Sequence, residues 1–508
     1  MIDEQTTISI RNEPITVVNK NKKTSFGGDV LRLVSGATVA QGLGILLAPV
    51  LSRLFAPEAF GTADVFVSIV SVIGVVVCLR YELAIMLPEN NEEAANLLAG
   101  TLILAGLITA VSALATRLLR DPIVRLLKAP DLAYFLWLLP VVVSVTGVSL
   151  ALTYWNSRGK YFGRLSVARV TASASTGITK LGMGSLGYRG PGGLIGGYVM
   201  GPIISAVILG WQTWRDDKRV IQRVRWPGII EELNRYRRFP LLSTWSALLN
   251  VLSRQLPIFV LSIFFSQEIV GYYGQGTRLI QVPLALIGSA VAQVLFQRAS
   301  EARREGTLGV VVANVYQRLV ILGLFPMLAL TLIGQEVFVI VLGSKWAEAG
   351  AYAQIMGPWR FLVFVGSPMS ILPSVLERQD VDLTFNIILF ISRAVSLVLG
   401  SLLGNARIAL ALYAGSGLLM WGGFVIWVLW VTGTSMRQAV VGLMRCLLYA
   451  LPILVCVSIV KWWWDWSALA IVAVAAVGTL LYYGIVIWQD STLRAMSINA
   501  LKRVGVWR

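Results

Sequence analysis

The sequence predicts an all-α polytopic membrane protein with about fourteen transmembrane helices, and three observations predict it. Of its 508 residues, 56% are hydrophobic and only 14% charged, with a mean hydropathy of +0.73, too apolar for a soluble domain with a water-facing surface. The apolar residues fall in runs long enough to cross a bilayer, divided by short polar segments. A segment of the first half also returns in the second. In lipid each backbone N–H and C=O must be paired within its own segment, so such runs mean helices. The period-two alternation of an outer-membrane barrel is not found.

In chain order, residues 1–30 are polar, with Lys20, Lys22 and Lys23 just before the first run, and read as a cytoplasmic tail and not a cleavable signal peptide. Six spans then form an N-lobe over 31–213, at 31–54, 60–87, 94–118, 133–154, 162–187 and 192–213. A cytoplasmic linker, 214–239, is strongly basic, with Arg215, Lys218, Arg219, Arg223, Arg225, Arg235, Arg237 and Arg238. It reads as a solvated connector whose cations can also meet anionic headgroups. A C-lobe over 240–431 repeats the pattern at 240–266, 269–297, 308–333, 350–376, 383–403 and 405–431. The remainder, 432–508, holds two more spans, 439–460 and 466–489, and a cytoplasmic C-terminus. Trp462, Trp463, Trp464 and Trp466 mark a headgroup boundary between them.

Lys and Arg concentrate in alternate connections, which places both termini in the cytoplasm. The connection with Glu89, Glu92 and Glu93 is acidic although it falls on that side. Cys78, Cys446 and Cys456 lie in apolar runs and read as small hydrophobes. There is no histidine, so the commonest metal ligand and neutral-pH proton carrier is missing. No cofactor, metal or nucleic acid is expected.

The repeat compares Leu51-Ser52-Arg53-Leu54-Phe55-Ala56-Pro57-Glu58-Ala59-Phe60-Gly61 with Leu261-Ser262-Ile263-Phe264-Phe265-Ser266-Gln267-Glu268-Ile269-Val270-Gly271, where five of eleven positions coincide. Both copies occupy the tight turn between the first and second span of a six-helix set. An even number of spans separates them, so the halves share one orientation and relate by an axis along the membrane normal, an arrangement that holds substrate between repeats.

Cations inside spans are the candidate functional residues. At the bilayer centre each costs about 2.5–3.5 kcal/mol if it meets lipid, so such groups face a bundle interior or a wet cavity. The fifth span carries Arg169, Ser173, Thr176, Lys180, Gly184 and Gly187 on one face, and the seventh Ser243, Ser246, Asn250, Arg254 and Pro257. The eighth carries Gly271, Gly274, Arg278, Gln281, Ala285, Gly288 and Ala292, and the eleventh Asn386, Arg393, Ser396 and Gly400. No stripe has a carboxylate at its middle, and together they predict a positive lumen for an anion. A diphosphate suits it, because Arg presents a planar fork to phosphate oxygens and Lys a point charge. The bland alternative is that small residues serve close packing and the cations snorkel, the more so for Arg169 and Arg318 near the inner surface. Asp64, near the outer end of the second span, and Glu82 are candidates for coupling or interlobe contact. Arg80 and Glu82, two residues apart on a helix, should point to different faces, with Arg80 toward the lumen.

The turn 51–61 and the segment Arg80-Tyr81-Glu82-Leu83-Ala84-Ile85-Met86-Leu87-Pro88 resemble the Wzx-like O-antigen and exopolysaccharide flippases of the multidrug/oligosaccharidyl-lipid/polysaccharide exporter superfamily. The resemblance implies a V-shaped pair of six-helix lobes in the bacterial inner membrane around a cationic cavity. It also implies flipping of undecaprenyl-diphosphate-linked oligosaccharide without bond breakage. Membrane lipids, a polysaccharide polymerase and a chain-length regulator are the partners it brings with it. The two C-terminal helices are similar to those of the lipid II flippase branch. Two alternatives stay open: a cation-coupled drug exporter of the same superfamily, though the first and seventh spans lack Asp and Glu, and a membrane glycolipid polymerase, though no long outer loop is present.

Overall fold

The computed structural model describes residues 26–463, 466–489 and 494. The lysines of the N-terminal tail, Trp464, the C-terminal segment from 495 onward and the side chain of Ala285 lie outside the described residues. The described chain is helical, with fourteen long helices in the expected order. These are α1 Phe26–Leu54, α2 Pro57–Val76, α3 Asn91–Leu126, α4 Leu138–Arg158, α5 Phe162–Ser185, α6 Pro191–Ile221 and α7 Thr244–Phe264. Then come α8 Gln267–Glu305, α9 Leu308–Leu342, α10 Ala347–Met369, α11 Gln379–Leu402, α12 Ala406–Val431, α13 Met436–Trp463 and α14 Ala468–Gln489. Twelve helical segments are long and apolar enough to cross a membrane, which makes the chain a multi-pass membrane protein. Helix α5, which carries Arg164, Arg169 and Lys180, falls outside that set.

Local chemistry sets the corners. The repeated turn ends one helix at Leu54 or Phe264 and starts the next at Pro57 or Gln267, with Ala56 and Ser266 both extended as N-caps. Pro57 suits the first helical position because its missing N–H would have no partner there. Ser266 accepts a hydrogen bond from the Ile269 N–H at 3.4 Å.

Two expected spans are broken. The span 60–87 stops at Val76, turns through Leu79 and Arg80 at positive φ (47° and 64°), and resumes as one helical turn, Tyr81–Ala84. The span 350–376 ends at Met369 before a separate turn, Leu372–Val375. The linker is also more ordered than a solvated connector. Helix α6 runs past residue 213 to Ile221, and an amphipathic helix, Trp226–Arg235, docks on the N-lobe. Ile229 and Leu233 pack against Gly100 of α3, and the Tyr81 hydroxyl donates to the Leu233 carbonyl at 2.8 Å. Arg223 pairs with Glu92 at 2.6 Å and Arg235 with Glu93 at 3.4 Å, so the acidic connection is the dock of the basic linker.

The main core runs through both lobes and joins them at the end opposite the linker. Trp346, wholly buried after α9, meets Phe60 of the N-lobe and Tyr272 of the C-lobe edge-on, with ring centroids 5.2 and 6.1 Å away. Trp462, Trp463 and Trp466 stand exposed between α13 and α14, as an interfacial anchor requires.

Candidate functional site

The two copies of the repeated turn clasp opposite lobes, and they do so reciprocally. Buried Ser52 donates to the Leu342 carbonyl at 2.9 Å, and its counterpart Ser262 donates to the Leu127 carbonyl. The Lys345 ammonium donates to the Phe55 carbonyl at 2.7 Å, and the Lys128 ammonium to that of Phe264 at 3.3 Å. Trp346 Nε1 adds a 3.0 Å bond to the Ser52 carbonyl, and Gln267 Nε2 one of 2.8 Å to that of Leu127. Between the clasps α2 crosses α8 backbone to backbone. A Cβ on Gly61 would collide with the Gln267 carbonyl, and one on Gly271 with the Pro57 carbonyl. Positions 61 and 271, like 57 and 267, are equivalents in the repeat, so the pseudo-two-fold axis passes through this crossing.

One turn beyond Gly61 on α2 lies the polar centre of the interface. Asp64, 5% exposed, accepts a hydrogen bond from the Arg278 guanidinium of α8 at 2.6 Å. Lys180 of α5, with its stem against Gly197 of α6, lies within electrostatic reach of both. Asp64 pairs with Arg278 alone, and its Oδ2 is buried with no hydrogen-bond donor among the described residues. Lower still, Ser68 of α2 donates to Gln255 of α7 at 3.1 Å.

The remaining candidates are not all brought here. Arg254 and Arg169 are exposed on α7 and α5. Arg80 and Glu82 differ from the expectation of opposite faces: the break before Tyr81 puts Arg80 in the left-handed region and brings the two within 3.5 Å. Arg278 differs from the expectation of cations without a carboxylate, because Asp64 reaches it from the other lobe. The stripes are partly packing seams. Ser173 bonds to the Ala40 carbonyl of α1, Gly274 adjoins Asp64, and Ser396 and Gly400 meet Ser416 and Ala409 of α12.

Arg393 points into that α11–α12 seam, where its guanidinium lies over the rings of Trp359 (5.3 Å) and Tyr413 (5.8 Å). Beside it sits Arg360 of α10, 7% exposed, a residue absent from the sequence candidates. The one signal for it was an arginine near the middle of an otherwise apolar span.

The chain is thus a membrane protein of two clasped six-helix lobes with cations at their junction. The structure resembles the lipid II flippase MurJ in an inward closed conformation, with a TM-score of 0.70 at 12% identity over 89% of this chain and 98% of that one. It also resembles an inward-facing multidrug resistance MATE family transporter of the MOP superfamily, with a TM-score of 0.57 at 14% identity over 80% of this chain and 98% of that one. The chain belongs to a family described as polysaccharide biosynthesis proteins, whose sequence pattern matches residues 50–351. A relative, the succinoglycan biosynthesis transport protein ExoT of Rhizobium meliloti (strain 1021), is 22% identical over 345 residues. That match spans 66% of this chain and 65% of the relative's length.

Proposed function

We propose that the protein is a flippase that carries an undecaprenyl-diphosphate-linked oligosaccharide from the cytoplasmic to the periplasmic leaflet of the bacterial inner membrane. In this reading both termini and the linker are cytoplasmic, and a polymerase and a chain-length regulator act on the product. The supporting observation is the trio Lys180, Arg278 and Asp64: an excess of positive charge held at the lobe junction, inside the clasped end.

The mechanism needs no bond breakage. A diphosphate entering between the lobes competes with Asp64 for Arg278 and gains Lys180, while Arg254 and Arg169 offer exposed cations on the approach. Displacement of Asp64 weakens the hold of α2 on α8, so substrate binding and opening of the clasped end are linked through one carboxylate. Sugar hydroxyls are solvated in the cleft and the lipid tail stays in the membrane.

The test is export of surface polysaccharide in cells carrying Lys180→Ala or Arg278→Ala, with membrane expression confirmed. Loss of export in both is expected. Undiminished export in both removes the site assignment, and drug resistance conferred by overexpression in place of export removes the substrate class.

A further inference from the structure

The C-lobe holds a second cationic cluster that the transport reading does not use. Arg360 and Trp359 of α10, Arg393 of α11, Tyr413 of α12 and Tyr273 of α8 come together within one lobe. The Arg360 and Arg393 guanidinium carbons lie 4.5 and 5.3 Å from the Trp359 ring centroid, and the Tyr413 ring meets Trp359 edge-on at 5.1 Å. Trp359, Tyr413, Tyr273 and Arg360 are 2%, 3%, 6% and 7% exposed. The charged or titratable groups that act on Arg360 are Tyr273, Tyr413 and Arg393, and no carboxylate is among them.

Three buried N–H donors of this cluster, Trp359 Nε1, Arg360 Nε and Arg393 Nε, have no acceptor among the described residues. Native proteins rarely bury donors without partners. A desolvated cation without a counter-charge costs several kcal/mol, and two neighbouring ones add repulsion. Cation–π contact recovers about 0.5–2 kcal/mol each, short of that cost. An acceptor that also carries negative charge resolves both deficits at once.

We propose that the Arg360–Arg393 cluster binds a small inorganic monoanion of halide size, independently of the transported lipid. The size follows from enclosure: with Trp359, Tyr413, Tyr273 and Arg360 almost closed to the outside, the cluster suits a compact ion and not a diphosphate with sugars attached. The anion makes the cluster neutral enough to sit inside the lobe and ties α10 to α11 and α12.

The experiment uses the purified full-length protein in detergent, moved from gluconate to chloride at constant ionic strength, with phosphate as a separate arm. Chloride is expected to raise Tm saturably by about 1–3 °C. Arg393→Gln should abolish the response, and Arg437→Gln, at an exposed position far from the cluster, should keep it. Should Arg393→Gln fail to fold, Arg393→Glu supplies the missing negative charge covalently and should fold with a Tm indifferent to chloride. In crystals soaked in bromide, an anomalous peak is expected between Arg360 and Arg393. A wild-type Tm equal in chloride and gluconate, a full chloride response in Arg393→Gln, or stabilisation by phosphate and not by chloride would each overturn the proposal.

Discussion

At the α2–α8 crossing, Arg278 pairs with Asp64, a carboxylate that reaches it from the opposite lobe, with Lys180 in electrostatic reach, whereas Arg360, beside Arg393 inside the C-lobe, has no carboxylate among the groups that act on it. The first cluster is balanced by a group that belongs to the other lobe. The second keeps its surroundings through any rigid-body movement of the C-lobe, because all its members belong to that lobe. The contrast teaches that a cation in an apolar helix has no role of its own. What stands opposite decides whether it acts as a switch or as a socket.

The comparison breaks most severely at Gly61. Gly61→Ala places a Cβ against a main-chain carbonyl that no rotamer can move aside, so α2 must withdraw from α8, at a cost of about 1–3 kcal/mol. A cysteine at the fully buried Ser262, with Cys78, Cys446 and Cys456 replaced, reads the outcome. Labelling by a water-soluble maleimide is expected to rise at least several-fold over the protein with Gly61 intact.

Next is Asp64→Asn, which leaves two cations facing each other. It should lower Tm more than Arg278→Gln does, since removal of Arg278 still leaves Asp64 opposite Lys180. The reverse order would show that Lys180 does not contribute to the balance. The intra-lobe cluster gives the opposite sign: in chloride-free buffer Arg360→Met exchanges an unmatched buried cation for an apolar chain, and its Tm should match or exceed that of the wild type.

The smallest effects belong to the linker dock. Tyr81→Phe removes the hydrogen bond to Leu233, worth about 1 kcal/mol, and should speed proteolysis within 222–238. Burial pushes the Glu232 carboxyl up, with Arg235 pulling it partly back. A carboxyl raised on docking favours the docked state when protonated, so docking should tighten as pH falls and loosen as pH rises through the raised value. Glu232→Gln should flatten that dependence, as measured by the same proteolysis.

Much of this architecture was legible in the sequence. Segment length and apolarity gave the helices, and the repeated turn gave the two-lobed design, because span length and a short motif are local properties. The Asp64–Arg278 pair was not legible, since its members are 214 residues apart in sequence and only the interlobe crossing unites them. A continuous helix would separate Arg80 and Glu82 onto different faces, and the left-handed Arg80 breaks that helix. The acidic Glu89–Glu93 stretch made no sense until the basic linker folded back upon it. Arg393 was legible as a cation inside a span, yet its stripe of Ser396 and Gly400 served α12 and not a lumen.

The glycines at the α2–α8 crossing carry an evolutionary consequence. A residue on a two-fold axis confronts its own counterpart, as it would in an isologous homodimer. Here both partners reside in one polypeptide and can mutate separately. Yet bulk added at Gly61 is paid in the geometry of Gly271, and the reverse, so the duplicated halves, free to diverge almost everywhere, stay bound to one shared constraint at the point where they touch.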